Sequence, residues 1–119
     1  MSIQTSLKSF GTALARITGD DVPSYGCWHY TRDPLSSTPY IVWMEIGESD
    51  DFHADNGKGE VAMDITIEIY SHDEFDTLFD RVFDFLNDSE IPFSIENVAF
   101  EEETKLIHYS ITAEMVVDQ

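Results

Sequence analysis

The sequence from residue 61 to residue 70 reads VAMDITIEIY. Apolar side chains occupy its odd positions, whereas Asp64, Thr66 and Glu68 occupy three of its even positions. This alternation is typical of a β-strand that buries one face and exposes the other to water. Because the buried face needs a second layer of structure against it, the strand indicates a layered domain.

Four further segments are rich in β-branched and aromatic residues, the composition that favours strands. We predict strands over residues 25–30, 40–46, 93–100 and 106–117. Residues 40–46 read YIVWMEI and are largely apolar on both faces, which indicates a central strand or an interface on the second face. The last two segments are predicted to form a hairpin through residues 101–105.

An apolar stripe near the start of the chain has helical spacing. It consists of Ile3, Leu7, Phe10, Leu14 and Ile17. The intervals of three and four residues predict a helix over residues 3–18, with Gly19 as its cap. We expect this stripe to dock on the sheet of the same chain.

A second helix is predicted over residues 73–87, directly after the alternating strand. The sequence from Ser71 to Glu74 matches a capping box, in which each of these two side chains binds the other residue's backbone amide. We expect Phe75, Phe79 and Phe83 to face the core because they recur at intervals of four residues.

These elements follow the order α-β-β-β-α-β-β. Short links between neighbouring strands favour antiparallel pairing, and two helices with one apolar face each can cover one sheet face. We therefore predict a single α+β domain over residues 1–119, with an antiparallel sheet of about five strands and both helices on one face. Its length is that of one ordinary domain.

The charge of the chain is strongly unbalanced. It holds 24 Asp and Glu against 6 Lys and Arg, a formal net charge of −18, and its cations are scattered. We expect no specific binding to nucleic-acid phosphates and no binding to anionic membranes. A basic partner, a bound cation, halophilic adaptation or a solvated acidic surface could each explain the excess.

One side of the second predicted helix concentrates this charge. Asp76, Asp80 and Asp84 recur every four residues, and Asp73 and Asp88 extend the series. Like charges at this spacing repel each other. We interpret this acidic face either as a solvated surface or as a surface with a function.

The loop after residue 47 could bind a cation, because carboxylates and an imidazole crowd it. Its candidate ligands are Glu48, Asp50, Asp51, His53 and Asp55. The template of a calcium loop fails, since Asn56 and Ala62 replace its glycine and its final acid. We therefore expect a solvated or interface loop without a tightly held metal, and a small metal-binding domain stays as an alternative.

The chain carries no motif of a known catalytic site. It lacks the Gly-x-Ser-x-Gly elbow and the glycine-rich phosphate loops. His29 and His108 fall on predicted strands and are expected to be structural, and Cys27 is expected to be a buried thiol. We predict neither an enzyme nor a cofactor. We also expect no signal peptide and no membrane span, because no apolar run approaches about 20 residues.

Three short motifs occur in a particular order. Residues 39–43 read PYIVW, residues 51–56 read DFHADN and residues 66–70 read TIEIY, and an acidic, aromatic-rich helix is predicted after them. In this order the segments resemble small tail-completion or tail-terminator proteins of tailed phages and prophages. The resemblance covers roughly residues 25–110.

The resemblance implies a structural protein without an active site. Such a protein forms a ring, typically hexameric, at the head-proximal end of the tail tube, where it stops tube growth and joins the head connector. Its partners would be further copies of itself, the tail tube protein and the connector. It would be assembled in the bacterial cytoplasm and remain in the virion.

The DFHADN segment matches the family's turn signature, and its Phe52 lies on a charged loop. Because aromatic side chains carry much of the energy at binding hot spots, we predict an interface at Phe52, His53, Asp55 and Asn56. In such a ring, the side of the second helix that bears Asp76, Asp80 and Asp84 could line the bore and repel passing DNA. An acidic protein-interaction module, such as an inhibitor or a DNA mimic, is the alternative from a different class. It would form a defined complex with a basic protein instead of a ring.

Overall fold

A computed structural model of the protein describes residues 3–18, 27–30, 39–48 and 60–118. Its helices are α1 (Ile3–Ala15), continued by a 3₁₀ turn (Arg16–Thr18), and α2 (Thr77–Asp88). Its strands are β1 (Cys27–His29), β2 (Tyr40–Glu48), β3 (Glu60–Ser71), β4 (Phe93–Glu101) and β5 (Leu106–Asp118). This order confirms the predicted α+β fold with its succession α-β-β-β-α-β-β.

The five strands form one sheet in the order β1-β2-β3-β5-β4. The pairs β2–β3, β3–β5 and β4–β5 are antiparallel, as predicted. The edge strand β1 pairs with β2 in parallel, which corrects the expectation of antiparallel pairing throughout. A tight hairpin turn would force antiparallel pairing, whereas ten residues of sequence separate the end of β1 from the start of β2.

Both helices cover the same face of the sheet. Phe10 of α1 packs edge-on against Trp43 of β2 at 5.2 Å between ring centroids, and Phe79 of α2 lies 4.0 Å from Tyr109 of β5. Trp43 pairs across strands with Ile67, and Tyr109 pairs with Ile69. Because cross-strand partners point to the same side, both contacts lie on the side of the buried β3 residues.

The core follows the alternation that predicts β3. Ile65, Ile67 and Ile69 are completely buried, as expected, while Val61 and Met63 are half-buried nearer the start of the strand. Other completely buried side chains come from every layer: Leu14, Ile41, Val82, Leu86 and Ile111. Phe79 is buried, and Phe83 is partly buried against this core.

The start of α2 differs from the prediction. The helix begins at Thr77, and the carboxylate of Asp76 caps it by accepting a hydrogen bond from the Leu78 amide at 2.9 Å. Ser71 still belongs to β3, where it pairs with Ile107, so it cannot form the predicted capping box. Phe75 precedes the helix with a φ of 60° and is 92% exposed, so it does not face the core.

Candidate functional site

Strand β4 is the outermost strand on its side of the sheet, and three of its apolar side chains are uncovered. These side chains, which we call the β4 row, are Ile95, Val98 and Phe100, with 47%, 53% and 55% of their surface exposed. Within the described parts of the chain, β4 pairs only with β5. Its outer backbone edge can therefore accept another strand.

The β4 row lies on the helix side of the sheet. Val98 pairs with Tyr109 and Ile95 pairs with the buried Ile111, both of which point toward the helices. Helix α2 contacts this side of β4 at Phe93, whose ring stacks on that of Phe83 at 5.9 Å, whereas the β4 row stays about half-exposed. The row is therefore an extension of the core face that the two helices leave uncovered.

The two halves of β4 differ as pairing edges. The register shifts between Ile95 and Asn97, and Glu96 adds a charge at this bulge. Bulges and charges commonly protect strand edges from unwanted pairing. Residues 97–100 read NVAF and carry neither feature, so this half is the part of the edge suited to an added strand.

The predicted acidic face of α2 separates into two parts in the structure. Asp80 and Asp84 are exposed and lie one helical turn apart. Asp76 lies outside the helix, where it also accepts a hydrogen bond from the Ser71 hydroxyl at 2.7 Å. Asp76 is therefore a structural cap, and the exposed acidic surface of the helix consists of Asp80, Asp84 and Asp88.

The turn between β4 and β5 adds three carboxylates near one end of the β4 row, those of residues 101–103. Lys105 lies 3.9 Å from the Glu102 carboxylate and 6.0 Å from the centre of the Phe100 ring. Both side chains of this ion pair are largely exposed, so the pair contributes little to stability. The turn keeps a net negative charge beside the row.

The opposite face of the sheet carries a row of stacked rings. Tyr70 stacks on Tyr40 at 4.8 Å and on His108 at 4.3 Å. The carboxylate of Glu68 lies 2.6 Å from His108 Nε2 and accepts a hydrogen bond from the Ser110 hydroxyl at 2.6 Å. His108 is thus held by strand neighbours, which agrees with its expected structural role.

A second ring cluster lies at the β1 edge. His29 stacks between Trp43 at 4.0 Å and Tyr30 at 3.8 Å, and its Nε2 lies 2.8 Å from a carboxylate oxygen of Glu45. The Tyr30 hydroxyl donates to the same carboxylate, which raises the pKa of Tyr30. Partial burial alone would raise the pKa of Glu45, but the hydrogen bonds from Tyr30 and His29, together with a backbone hydrogen bond and the charge interaction with His29, lower it overall.

Cys27 lies on β1 and packs against the core, although it is only partly buried where the sequence predicts a buried thiol. Burial raises the pKa of its thiol to about 12. Since the thiolate is the reactive form, this thiol is poorly activated as a nucleophile at neutral pH.

The predicted interface residues Phe52, His53, Asp55 and Asn56 lie outside the described residues, so this interface stays a prediction. Of the candidate metal ligands in that loop, only Glu48 is described, and its side chain is exposed. Among the residues that the structure covers, no group of three His, Cys, Asp or Glu side chains is placed to hold a metal ion.

The β4 row is a feature that the sequence prediction missed. Its apolar residues change phase between Ile95 and Val98, and this break in the alternation is the one available signal of a bulge. The position of β4 at the edge has no local signal, because it depends on β5 pairing with β3 on its other side.

No model of a known protein family matches the chain, and no curated protein matches it. Within the described ranges, neither helix is long and apolar enough to span a membrane.

Proposed function

We propose that the chain is a structural assembly protein, a tail-completion or tail-terminator protein of a tailed phage or prophage. In this role it forms a ring at the head-proximal end of the tail tube and joins the tube to the head connector. The order of the PYIVW, DFHADN and TIEIY motifs supports the proposal at the level of the sequence.

The observation that carries the proposal is the uncovered β4 row at an open strand edge. Large apolar side chains that are half-exposed side by side mark sites where another protein binds. Val98 and Phe100 lie on the core face of the sheet. A neighbouring protein could cover them and so extend the core. A structural protein that acts through its neighbours needs such a surface.

The charge of the chain is compatible with a ring that assembles only on the tail tube. With a net charge of −18, free copies repel each other, and the repulsion is strongest at low salt. Ring closure is then favoured on the tube, where contacts with tube and connector proteins compensate for the repulsion. This would keep free copies apart until a tube of the correct length is present.

Deletion of the gene from the phage or prophage that encodes the chain tests the proposal. We expect electron microscopy to show tubes of irregular length and heads without tails, because tube growth is no longer stopped. Wild-type protein should restore complete particles, whereas Phe100→Ser, which removes the largest side chain of the β4 row, should not.

Asn97→Ser is the matched control for this experiment. Asn97 lies on the same strand and is exposed, but it pairs with Ser110 and points to the opposite face. The control should restore complete particles, and both variants should melt at the temperature of the wild type. Complete particles in the absence of the chain would contradict the proposal.

The net charge of −18 also favours the alternative of an acidic module that occupies a basic protein site. Such a module would copurify with a nucleic-acid-binding protein of the host at a fixed ratio. Tail assembly would then proceed normally without it, so the deletion separates the two functions.

A further inference from the structure

We infer that the outer edge of β4 is a docking site for an extended basic segment of another protein. The segment would alternate apolar residues with lysine or arginine and would add to the sheet as a strand beside residues 97–100. The inference rests on the proposed function, because it names the chemistry of the partner at the same edge.

The backbone and the β4 row provide the apolar part of the site. An added strand pairs its amides and carbonyls with the open edge, and its alternate side chains point to the two faces of the sheet. Those on the helix side would lie against Val98 and Phe100, which are about half-exposed. The apolar residues of the segment would therefore face the helix side.

Asp80 and Asp84 add negative charge on the exposed side of α2. Phe83 marks the side of α2 that faces β4, since its ring stacks on that of Phe93. At 3.6 residues per turn, Asp80 lies about 60° and Asp84 about 100° around the helix from Phe83, both away from the buried side. The two carboxylates therefore lie on the exposed side of α2 beyond Phe83, where their charge attracts a basic segment without pairing with its individual residues.

The other face of the edge is acidic as well. Glu101 lies at the end of β4, where its carboxylate is 3.9 Å from His108 Nδ1 on the open face of the sheet. Glu96 at the bulge binds the Ser94 hydroxyl on the same strand. Alternate residues of an added strand that face this side would meet these carboxylates, so lysine or arginine is favoured there.

One described cation, Lys105, lies at the β4 row, 6.0 Å from the centre of the Phe100 ring, but the three carboxylates of residues 101–103 outnumber it. Arg81 lies on the other side of α2, where its guanidinium donates a hydrogen bond to the Ile17 carbonyl at 3.1 Å. Lys105 is paired with Glu102 in the exposed turn. A basic segment would supply the charge that the surroundings of the edge lack.

A second copy of the chain is a poor occupant of this site. It would add a net charge of −18, and its own β4 would bring Glu96 and Glu101 to the contact. Like charges across an interface are costly and disfavour the wrong partner. The same apolar row is attractive to a basic segment, for which both the apolar and the charged contacts are favourable.

A labelled peptide that alternates valine and lysine tests the inference, with binding followed by fluorescence anisotropy. We expect the peptide to bind the wild-type chain and to lose affinity as salt rises. The double variant Glu96→Gln/Glu101→Gln should weaken binding about fivefold, since the lysines meet these two carboxylates on the open face and two exposed charge pairs are lost. Phe100→Ser should weaken it through the lost apolar contact, whereas Asn97→Ser should not.

The control variant is Glu48→Gln, which removes an exposed charge on β2, a strand separated from β4 by β3 and β5. It should leave the affinity unchanged. Equal binding of a peptide that alternates valine and glutamate would overturn the inference, as would an equal loss of affinity in the control variant. Concentration-dependent pairing of the chain with itself that Phe100→Ser abolishes would also overturn it, because the occupant would then be a second copy.

These outcomes are separable from those of the proposed function. Lysine-dependent binding at β4, together with normal tails after gene deletion, would contradict the tail role and leave the docking site supported. Failed tail completion by Phe100→Ser without any binding of the lysine peptide would overturn the docking site and support the tail role.

Discussion

Single residues decide where α2 begins. Two acceptors precede the helix, Ser71 and Asp76, and either could cap a helix by the rules that apply to sequences. The structure selects Asp76 because β3 continues through Ser71, whose partner Ile107 is far along the chain. A capping motif is a local signal, so it cannot show that one of its residues pairs with a distant strand.

The cap gives a prediction that separates Asp76 from the other acids of α2. Asp76→Ala should lower the free energy of unfolding by about 1 kcal/mol, because the Leu78 amide and the Ser71 hydroxyl lose their acceptor. Asp80→Ala, at an exposed position, should change it by less than about 0.5 kcal/mol. Denaturant unfolding measures both, and equal losses would contradict the assignment of the cap.

Glu45 gives a prediction for the dependence of stability on pH. Its pKa is lowered from the ordinary value of 4.5, so its hydrogen bonds with His29 and Tyr30 stabilise the fold above that pH. This contribution is lost as the pH falls through the lowered pKa. Glu45→Gln should therefore be less stable than the wild type at neutral pH, and the difference should shrink below about pH 4.5.

Thermal melting across this pH range measures the effect. Glu48→Gln is the control, because Glu48 lies on the same strand with an exposed side chain. The control should differ from the wild type by a small amount at every pH. A difference for Glu45→Gln that stays constant into acid would contradict the role of its ionised form.

At the scale of elements, the packing of α1 on β2 depends on a close approach at Gly11. A Cβ atom added at this position would lie 2.5 Å from Cζ2 of the Trp43 ring. That ring is 4% exposed, contacts Phe10 and stacks on His29, so it has little room to move. The apolar stripe predicts that α1 docks on the sheet but does not show where the backbones come closest.

Gly11→Ala should therefore destabilise the protein, although alanine favours helices by about 1 kcal/mol over glycine. Overpacking of a core contact costs about 1–3 kcal/mol, so the net loss should be about 1 kcal/mol. Ser9→Ala, at an exposed position of the same helix, should be neutral or slightly stabilising. A gain in stability on Gly11→Ala would show that α1 lies farther from Trp43.

The sequence predicts the elements better than their arrangement. Alternation in β3 and helical spacing in α1 and α2 are local patterns, and the structure confirms these elements within a few residues. The parallel pairing of β1 and the edge position of β4 depend on contacts between distant segments. Local sequence patterns therefore do not predict the candidate site at the β4 row, although they correctly assign its residues to a strand.

At the scale of the whole molecule, charge and apolar surface occupy different places. The chain has a net charge of −18, yet residues 97–100 at the open edge of β4 are uncharged. Repulsion between copies and attraction to an apolar, basic segment can therefore act together. We propose that this combination keeps the protein apart from its own copies and directs it to the tail tube.

The most direct test of this account measures hydrogen exchange of the backbone amides, with the chain free and bound to tail tubes purified from the deletion strain. If the β4 edge is the contact, amides of residues 97–101 should exchange more slowly on the tube, while those of β2 should be unchanged. Exchange at β4 that stays the same on tubes that do bind the chain would contradict the account.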